Sequence, residues 1–285
     1  IFTHGDPTGQ FDNTLAGVDF QYKNSTGFPG TLFGDFTYLR TFDDDGVNSV
    51  GDHYAAVAGA YRGLKWEWNA EFYNIGENYR PRLGFANRTG IRQYHANLFR
   101  LFRPEGGPVR VFMAGVFGLA VTDLDEELLD RELGAFTRVE TRLGGSAELE
   151  VFRGFLDIRD PFDIAGRLPV PVGDYSFTRY NLSAESSGAR NLSLRGKFRW
   201  GGVYGGDFRN FGAGATWRPS EHFNIAADYD LVRFSLPTGD LDIHVGVLGS
   251  TIAVSPRMFI RTDVQYDNIS ENFSMLTRFS WEPAP

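Results

Sequence analysis

Apolar and polar residues alternate along this chain in successive segments of roughly a dozen residues. Leu64, Trp66, Trp68, Ala70 and Phe72 would line one face of an extended segment, with Lys65, Glu67, Asn69 and Glu71 on the other. The pattern recurs in Leu192, Leu194, Phe198 and Trp200 against Asn191, Arg195, Lys197 and Arg199, and in Phe223, Ile225, Ala227, Tyr229 and Leu231 against Asn224, Asp228 and Asp230. It continues in Leu241, Ile243, Val245 and Val247 against Asp242, His244 and Gly246. Near the C-terminus Phe273, Met275, Thr277, Phe279 and Trp281 oppose Asn272, Ser274, Arg278 and Ser280. A side-chain period of two over such lengths is the signature of β-strands with one apolar and one polar face. The spacing predicts fifteen strands, over 12–24, 30–42, 53–62, 64–74, 90–103, 108–122, 129–142, 145–158, 174–187, 190–200, 207–218, 221–234, 241–254, 257–267 and 272–282. Alternation is weakest over 109–122, where both faces are apolar or small.

The connections alternate too. Those after odd-numbered strands are tight, at 25–29, 63, 104–107, 143–144, 188–189, 219–220 and 255–256. Most of those after even-numbered strands are longer, at 43–52, 75–90, 123–128, 159–173 and 235–240, with 201–206 and 268–271 as exceptions. Outer-membrane barrels pair short periplasmic turns with longer extracellular loops. A sandwich or jelly roll has no reason to sort loop length by parity. The expected fold is therefore an all-β, antiparallel, up-and-down transmembrane β-barrel, a single domain over 1–285, in a bacterial outer membrane. By the same parity, strand 12–24 starts at the outer surface, and bacterial single-chain barrels have even strand numbers. Two expectations follow: an N-terminally incomplete barrel, or about sixteen strands with Ile1–His4 as a short first one and 5–10 as its turn.

Composition narrows the alternatives. The chain has 285 residues, a net charge of −8, no Cys and 26 Phe. The lack of Cys removes disulfides, thiol catalysis and thiolate metal sites, and the acidic balance argues against nucleic acid. No apolar run reaches the roughly 18 residues a membrane-spanning helix needs. The mean hydropathy of −0.28 would suggest a soluble protein, but in a barrel only alternate residues meet lipid.

Five stretches carry a resemblance: "GENYRPRLGFANRTGIRQY" at 76–94, "NTLAGVDFQY" at 13–22, "PFDIAGRLPVPVGDYSFTRY" at 161–180, "TWRPSEHF" at 216–223 and "VQYDNISENFSMLTRFSWEP" at 264–283. Together they resemble the outer-membrane barrel that follows a carbohydrate-binding family 9-like domain in many Gram-negative bacteria. The resemblance implies a barrel preceded by a sugar-binding-like domain, and thus oligosaccharide as one possible solute. It carries no settled catalytic residues.

The loop 75–90 embeds Tyr79, Pro81, Leu83 and Phe85 among Arg80, Arg82 and Arg88, more apolar groups than a solvated loop requires. Either it folds into or caps the lumen, with Tyr79, Arg80, Arg82, Arg88 and the nearby Arg92 narrowing the pore, or it packs on neighbouring extracellular loops. Inward charge falls in bands: Glu67 and Glu71; Glu148 and Glu150; Arg195, Lys197 and Arg199; Asp228 and Asp230; Arg261 and Asp263. These form either a transverse field acting on solute or a salt-bridge lattice within the wall. Trp66, Trp200, Trp217, Phe223 and Trp281 lie near strand ends, as expected for rings at headgroup depth. The acidic runs Asp43–Asp45 with Gly46 and His53, and Asp123 to Asp130, lack the spacing of a calcium loop, so no metal or cofactor is expected. None of His4, His53, His95, His222 and His244 has a serine placed to act as nucleophile, and no catalytic residue is assigned. The expected partners are the lipid bilayer, a polar solute and, if the barrel serves as a scaffold, a periplasmic or surface protein.

Overall fold

The computed structural model describes residues 1–5, 12–27, 29–44 and 49–283, and among them there is no helix. Strand follows strand: β1 (Phe2–His4), β2 (Asp12–Asn24), β3 (Gly30–Asp44), β4 (Ser49–Gly63), β5 (Trp66–Ile75), β6 (Ile91–Phe102), β7 (Val109–Asp123), β8 (Leu128–Thr141) and β9 (Ser146–Ile158). A small hairpin, β10 (Phe162–Ile164) and β11 (Leu168–Val170), interrupts the series. It resumes with β12 (Gly173–Glu185), β13 (Leu192–Val203), β14 (Gly206–Ser220), β15 (Phe223–Leu236), β16 (Gly239–Ser255), β17 (Met258–Asp267) and β18 (Phe273–Trp281). Sixteen of these form one sheet in chain order, from β1 to β18, with β10 and β11 paired only to each other. The fifteen strands read from the alternation are all present, and the short N-terminal one pairs as well, Phe2 with Ala16 and His4 with Thr14. Its turn at 6–10 lies outside the described residues.

The contrast in loop length is weaker than the sequence suggests. β3 reaches Asp44 and pairs it with Ser49 of β4, and Leu236 of β15 pairs with Gly239 of β16. Polar residues read as loop are strand, because ladder hydrogen bonds use the backbone and need no apolar side chain. At the β13–β14 turn Tyr204 and Gly205 both take positive φ, 44° and 78°, the geometry of a two-residue hairpin turn. Among the described connections 76–90 and 159–172 remain long.

Two compact units divide the chain: 1–101 with 114–135 and 154–157, and 102–113 with 136–153 and 158–285. In the first, register places Asn13, Thr41, Asp43, Asp52 and Glu71 on one face. Val18, Phe20, Phe36, Val57 and Trp68 share the other. The apolar face is the exposed one: Phe20 is 63% exposed and Val57 51%, whereas Thr41 is 0% and Asn13 2%. A small apolar cluster of Ile91, Val121 and Leu129, joined by Ile75 and Leu119, is the core of this unit.

In the second unit Leu194, Phe211, Tyr229 and Leu248 are exposed, while Ser193, Asn210 and Thr216 on the opposite face are buried. β16 departs from the pattern. Its register sets Leu241 beside Phe234, Ile243 beside Val232, and Val245 and Val247 beside Asp230 and Asp228, so these apolar residues lie on the polar face. The alternation of β16 alone would turn them outward. The hairpin explains part of the reversal: Leu168 and Val170 pack with Val203 and Leu236, against Phe208, Phe234 and Leu241. Thr238 Oγ1 donates to the Pro169 carbonyl at 2.6 Å, and the Arg167 guanidinium to the carbonyl of Ile269 at 2.6 Å. Hence the 159–172 connection folds back over the polar face. Leu168→Ala is expected to cost roughly 2–5 kcal/mol of local stability and to speed tryptic cleavage after Arg167, read as a cleavage time course.

Candidate functional site

The polar face carries the chemistry, and in the first unit the 76–90 connection is strapped across it. Asp52 anchors the start: its carboxylate accepts from the backbone N–H of Asn78 at 3.0 Å and from that of His53 at 2.8 Å. Asn13 holds the middle, its amide donating to the Arg80 carbonyl at 3.0 Å and accepting from the Arg82 N–H at 3.4 Å. Thr41 Oγ1 accepts from the Arg80 N–H at 3.3 Å. The guanidinium of Arg82 grips the buried Asp43 through two bonds, at 3.2 and 2.7 Å, while Arg80 stands 4.0 Å from the same carboxylate. Neutral and charged groups of three strands thus converge on three alternate strap residues, Asn78, Arg80 and Arg82.

Of the residues expected to narrow a pore, Arg82 is committed to Asp43 and Arg80 lies at its margin. Tyr79 is buried among Tyr54 and Tyr73; the ring centroids of Tyr79 and Tyr54 lie 5.8 Å apart, those of Tyr54 and Tyr73 6.1 Å. Burial pushes the Tyr79 phenol above its ordinary value, with Tyr54 adding to the rise, so it stays a neutral donor at physiological pH. Arg88 lines a cavity of about 510 Å³ with Leu39, Tyr54, Tyr73, Tyr79 and Gln93. Arg92 alternates with Gln93 and so lies on the face of Tyr94 and Leu98, where it pairs with Glu126 at 3.0 Å. Asp123 accepts from the backbone of Asp125 and Glu127 and so closes its own turn. Asp45 and Gly46 lie outside the described residues. His53 meets Asp52 at 2.9 Å and Asn74 at 3.2 Å, and His95 meets Asn97 at 3.2 Å.

The charge bands of the second unit are tied together. Arg195 and Lys197 of β13 pair with Asp228 and Asp230 of β15 across the intervening β14. The Arg195 Nε bond is 2.7 Å and the Lys197 contact 2.6 Å. Both pairs pass over glycines, because the register aligns Arg195, Gly214 and Asp228 in one row and Lys197, Gly212 and Asp230 in the next. A Cβ on Gly214 would lie 2.3 Å from Asp228 Oδ1 and 2.5 Å from Arg195 Nε; one on Gly212 would lie 2.4 Å from Lys197 Cε. Opposite charges of β13 and β15 therefore meet across β14, with a bare backbone between them. A cavity of about 300 Å³ lies here, lined by Arg138, Ser183, Arg195, Lys197, Asp228 and Asp230. Glu148 takes Arg138 at 3.3 Å, Glu150 accepts from Asn181 at 3.3 Å, and Arg261 donates to Asp263 at 2.9 Å. Arg199 lies within electrostatic reach of Glu150 and Asp230. Glu71 of the first unit accepts from the Tyr73 hydroxyl at 2.7 Å, and Glu67 faces Arg62 in the register.

On the opposite face lie the five rings expected at headgroup depth. Trp66 sits under the Arg100 guanidinium at 5.4 Å, Trp217 meets Phe223 edge to face at 6.3 Å, and Trp281 ends β18. Trp200 stacks between Phe198 at 4.9 Å and Tyr180 at 5.2 Å. The anchors Asn13, Thr41, Asp43 and Asp52 were not singled out by sequence reasoning as strap contacts, since each is distant in sequence from residues 78–82. Gly212-Ala213-Gly214, between i,i+2 bases and i,i+2 acids, is the sequence signal of the bridged pairs.

These features define an all-β, antiparallel, up-and-down protein whose exposed face is apolar and whose sheltered face is polar. No family model matches the chain, and no curated protein does. Among solved structures it is similar to a loop L8 deletion mutant of OmpT, an outer membrane protein of Vibrio cholerae, at 11% identity and a TM-score of 0.45 over 95% of this chain and 100% of that one.

Two outcomes are expected. Gly214→Val should cost about 1–3 kcal/mol by overpacking, and less in an Arg195→Ala background, a coupling that a double-mutant cycle of urea-unfolding curves measures. Arg82→Ala leaves Asp43 buried without its main partner, at a cost toward the low end of roughly 3–5 kcal/mol because Arg82 is partly exposed. Amide exchange should then rise selectively over 78–84.

Proposed function

We propose that this chain forms the wall of an outer-membrane β-barrel whose polar face lines a passage for polar solutes. The carrying observation is the inversion of burial between the two faces. Phe20, Phe36, Val57, Trp68, Leu98, Leu194, Phe211 and Leu248 stand exposed along successive strands, while Asn13, Thr41, Asp43, Asn210 and Thr216 are buried. In water each large exposed side chain forgoes about 1.5–3 kcal/mol of burial, and so broad an apolar surface marks an interaction site. A hydrocarbon surround removes that cost and leaves the ion pairs and amides facing water. Trp66, Trp200, Trp217, Phe223 and Trp281 would meet the headgroups. The bilayer is the first partner on this reading, and a polar solute, oligosaccharide among the options, is the second.

A second reading is favoured by one observation. The 76–90 strap and the 159–172 hairpin each pack on the polar face of their own unit, which would narrow a passage. In that case the chain anchors a periplasmic or surface partner and conducts little.

Planar-bilayer recording of the full chain separates the two. The channel reading expects discrete conductance steps that grow when residues 78–87 are removed; silence from both proteins supports the anchor. The membrane placement has its own check. Leu194→Arg or Phe211→Arg should cost about 2–4 kcal/mol near the bilayer midplane when unfolding is followed from phospholipid vesicles, and Ser274→Arg on the polar face far less.

A further inference from the structure

The polar face of β3 to β6 contains a groove that runs from the Glu67 and Glu71 charge band to the underside of the strap. β4 presents Tyr54, Ala56, Ala58, Ala60 and Arg62 to this face, and register sets each alanine between longer neighbours. Ala56 lies between Thr37 and Tyr73, Ala58 between Asp35 and Glu71, and Ala60 between Phe33 and Asn69. Three methyl groups thus floor a trough walled by β3 and β5. A cavity of about 490 Å³ opens over Ala58 and Ala60, against Phe33, Asp35, Asn69 and Phe99. The cavity of about 510 Å³ beneath the strap begins at Tyr73, the next residue of β5 on this face after Glu71, which lines the first.

Rings close both ends, Phe33 and Phe99 at one and Tyr54, Tyr73 and Tyr79 at the other. Hydrogen-bonding groups run between them, Asn69 and Glu71 in the first cavity and Asn97 and His95 beside them on β6. The Asn97 amide donates to Asn69 Oδ1 at 3.1 Å and meets His95 Nε2 at 3.2 Å, and the Tyr73 hydroxyl donates to Glu71 at 2.7 Å. Asp35, Glu67 and Glu71 line the first cavity together with Arg62; Lys23 and Arg62 lie over the Phe33 ring at 5.7 and 5.1 Å, and Glu71 accepts from the Tyr73 hydroxyl. Three carboxylates against one guanidinium disfavour an anionic ligand, and ionised carboxylates accept hydrogen bonds from hydroxyl groups. Carboxamides offer a donor and an acceptor side by side, which suits vicinal hydroxyls. Phenol and phenyl faces suit the C–H face of a pyranose ring. From Glu67 to Ile75 the strand spans about 27 Å, enough for a short linear chain of sugar rings.

We propose that this groove binds a neutral, hydroxyl-rich ligand of the linear oligosaccharide class. The proposal rests on the water-facing orientation given to the polar face above, but not on conduction. Titration of the full chain in detergent micelles with maltohexaose, xylohexaose and N-acetylchitohexaose, followed by calorimetry, tests it. At least one should bind saturably with a dissociation constant at or below roughly 1 mM. Ala58→Trp should weaken that binding at least about tenfold by filling the trough, a difference of about 1.4 kcal/mol. Val57→Trp, on the opposite face, should leave it unchanged. Should Ala58→Trp fail to fold, Ala60→Leu takes its place. No saturable binding of any of the three sugars, or binding that survives the filled trough, overturns the proposal. Bilayer recordings keep the two readings apart: conduction without sugar binding overturns this inference and leaves the channel standing, and binding without conduction does the reverse.

Discussion

Backbone pairing in chain order constrains everything else in this molecule, because each ladder contact assigns a whole row of side chains to one face or the other. A shift of one residue in register would exchange the two faces. Arg195, Gly214 and Asp228 stand in one row because β13, β14 and β15 are paired as they are. Asn13 faces Asp43 across β2 and β3 for the same reason, and the strap finds both on one side. The ladder also satisfies the backbone groups without help from solvent, which is the condition a bilayer imposes on any chain that crosses it.

That ladder holds with very little conventional core. Among the described residues the buried apolar clusters are Leu168, Val170, Val203 and Leu236 in one unit and Ile91, Val121 and Leu129 in the other. The first holds the hairpin to the polar face, whereas the second joins the strand ends on either side of the strap through Ile75 and Ile91. The hairpin uses apolar packing backed by hydrogen bonds from Thr238 and Arg167. The strap relies on the polar anchors Asn13, Thr41, Asp43 and Asp52, with Tyr79 packed against Tyr54.

Small residues do much of the shaping on that face. Gly212 and Gly214 clear a path for ion pairs between strands that are not neighbours, and the space they leave is filled by charge. Ala56, Ala58 and Ala60 leave a trough that no described side chain fills, and it is flanked instead by carboxylates, amides and rings. The same device gives a rigid wall in one unit and an open groove in the other, depending on whether the flanking side chains are long opposite charges.

Strand number, antiparallel order and the identity of most exposed apolar residues were legible in the sequence, because a period of two is a local property of the chain. Strand ends were less so: 43–52 and 235–240 read as loops for their polar residues, yet pairing continues through Asp44 and Leu236. The facing of Leu241 to Val247 could not be read locally either, since only the partner strand says which side they occupy. Tyr79, Arg80, Arg82 and Arg88 were marked by an excess of rings and cations in one loop, but their fates were not. Arg82 is bound to Asp43, Arg92 is turned to the other face, and Tyr79 is buried beside Tyr54. The sequence by itself determined a repeating two-faced strand and hence the fold class. Only the tertiary structure decided where the long connections fold and which charges meet, because those contacts join residues far apart in sequence and depend on register between strands.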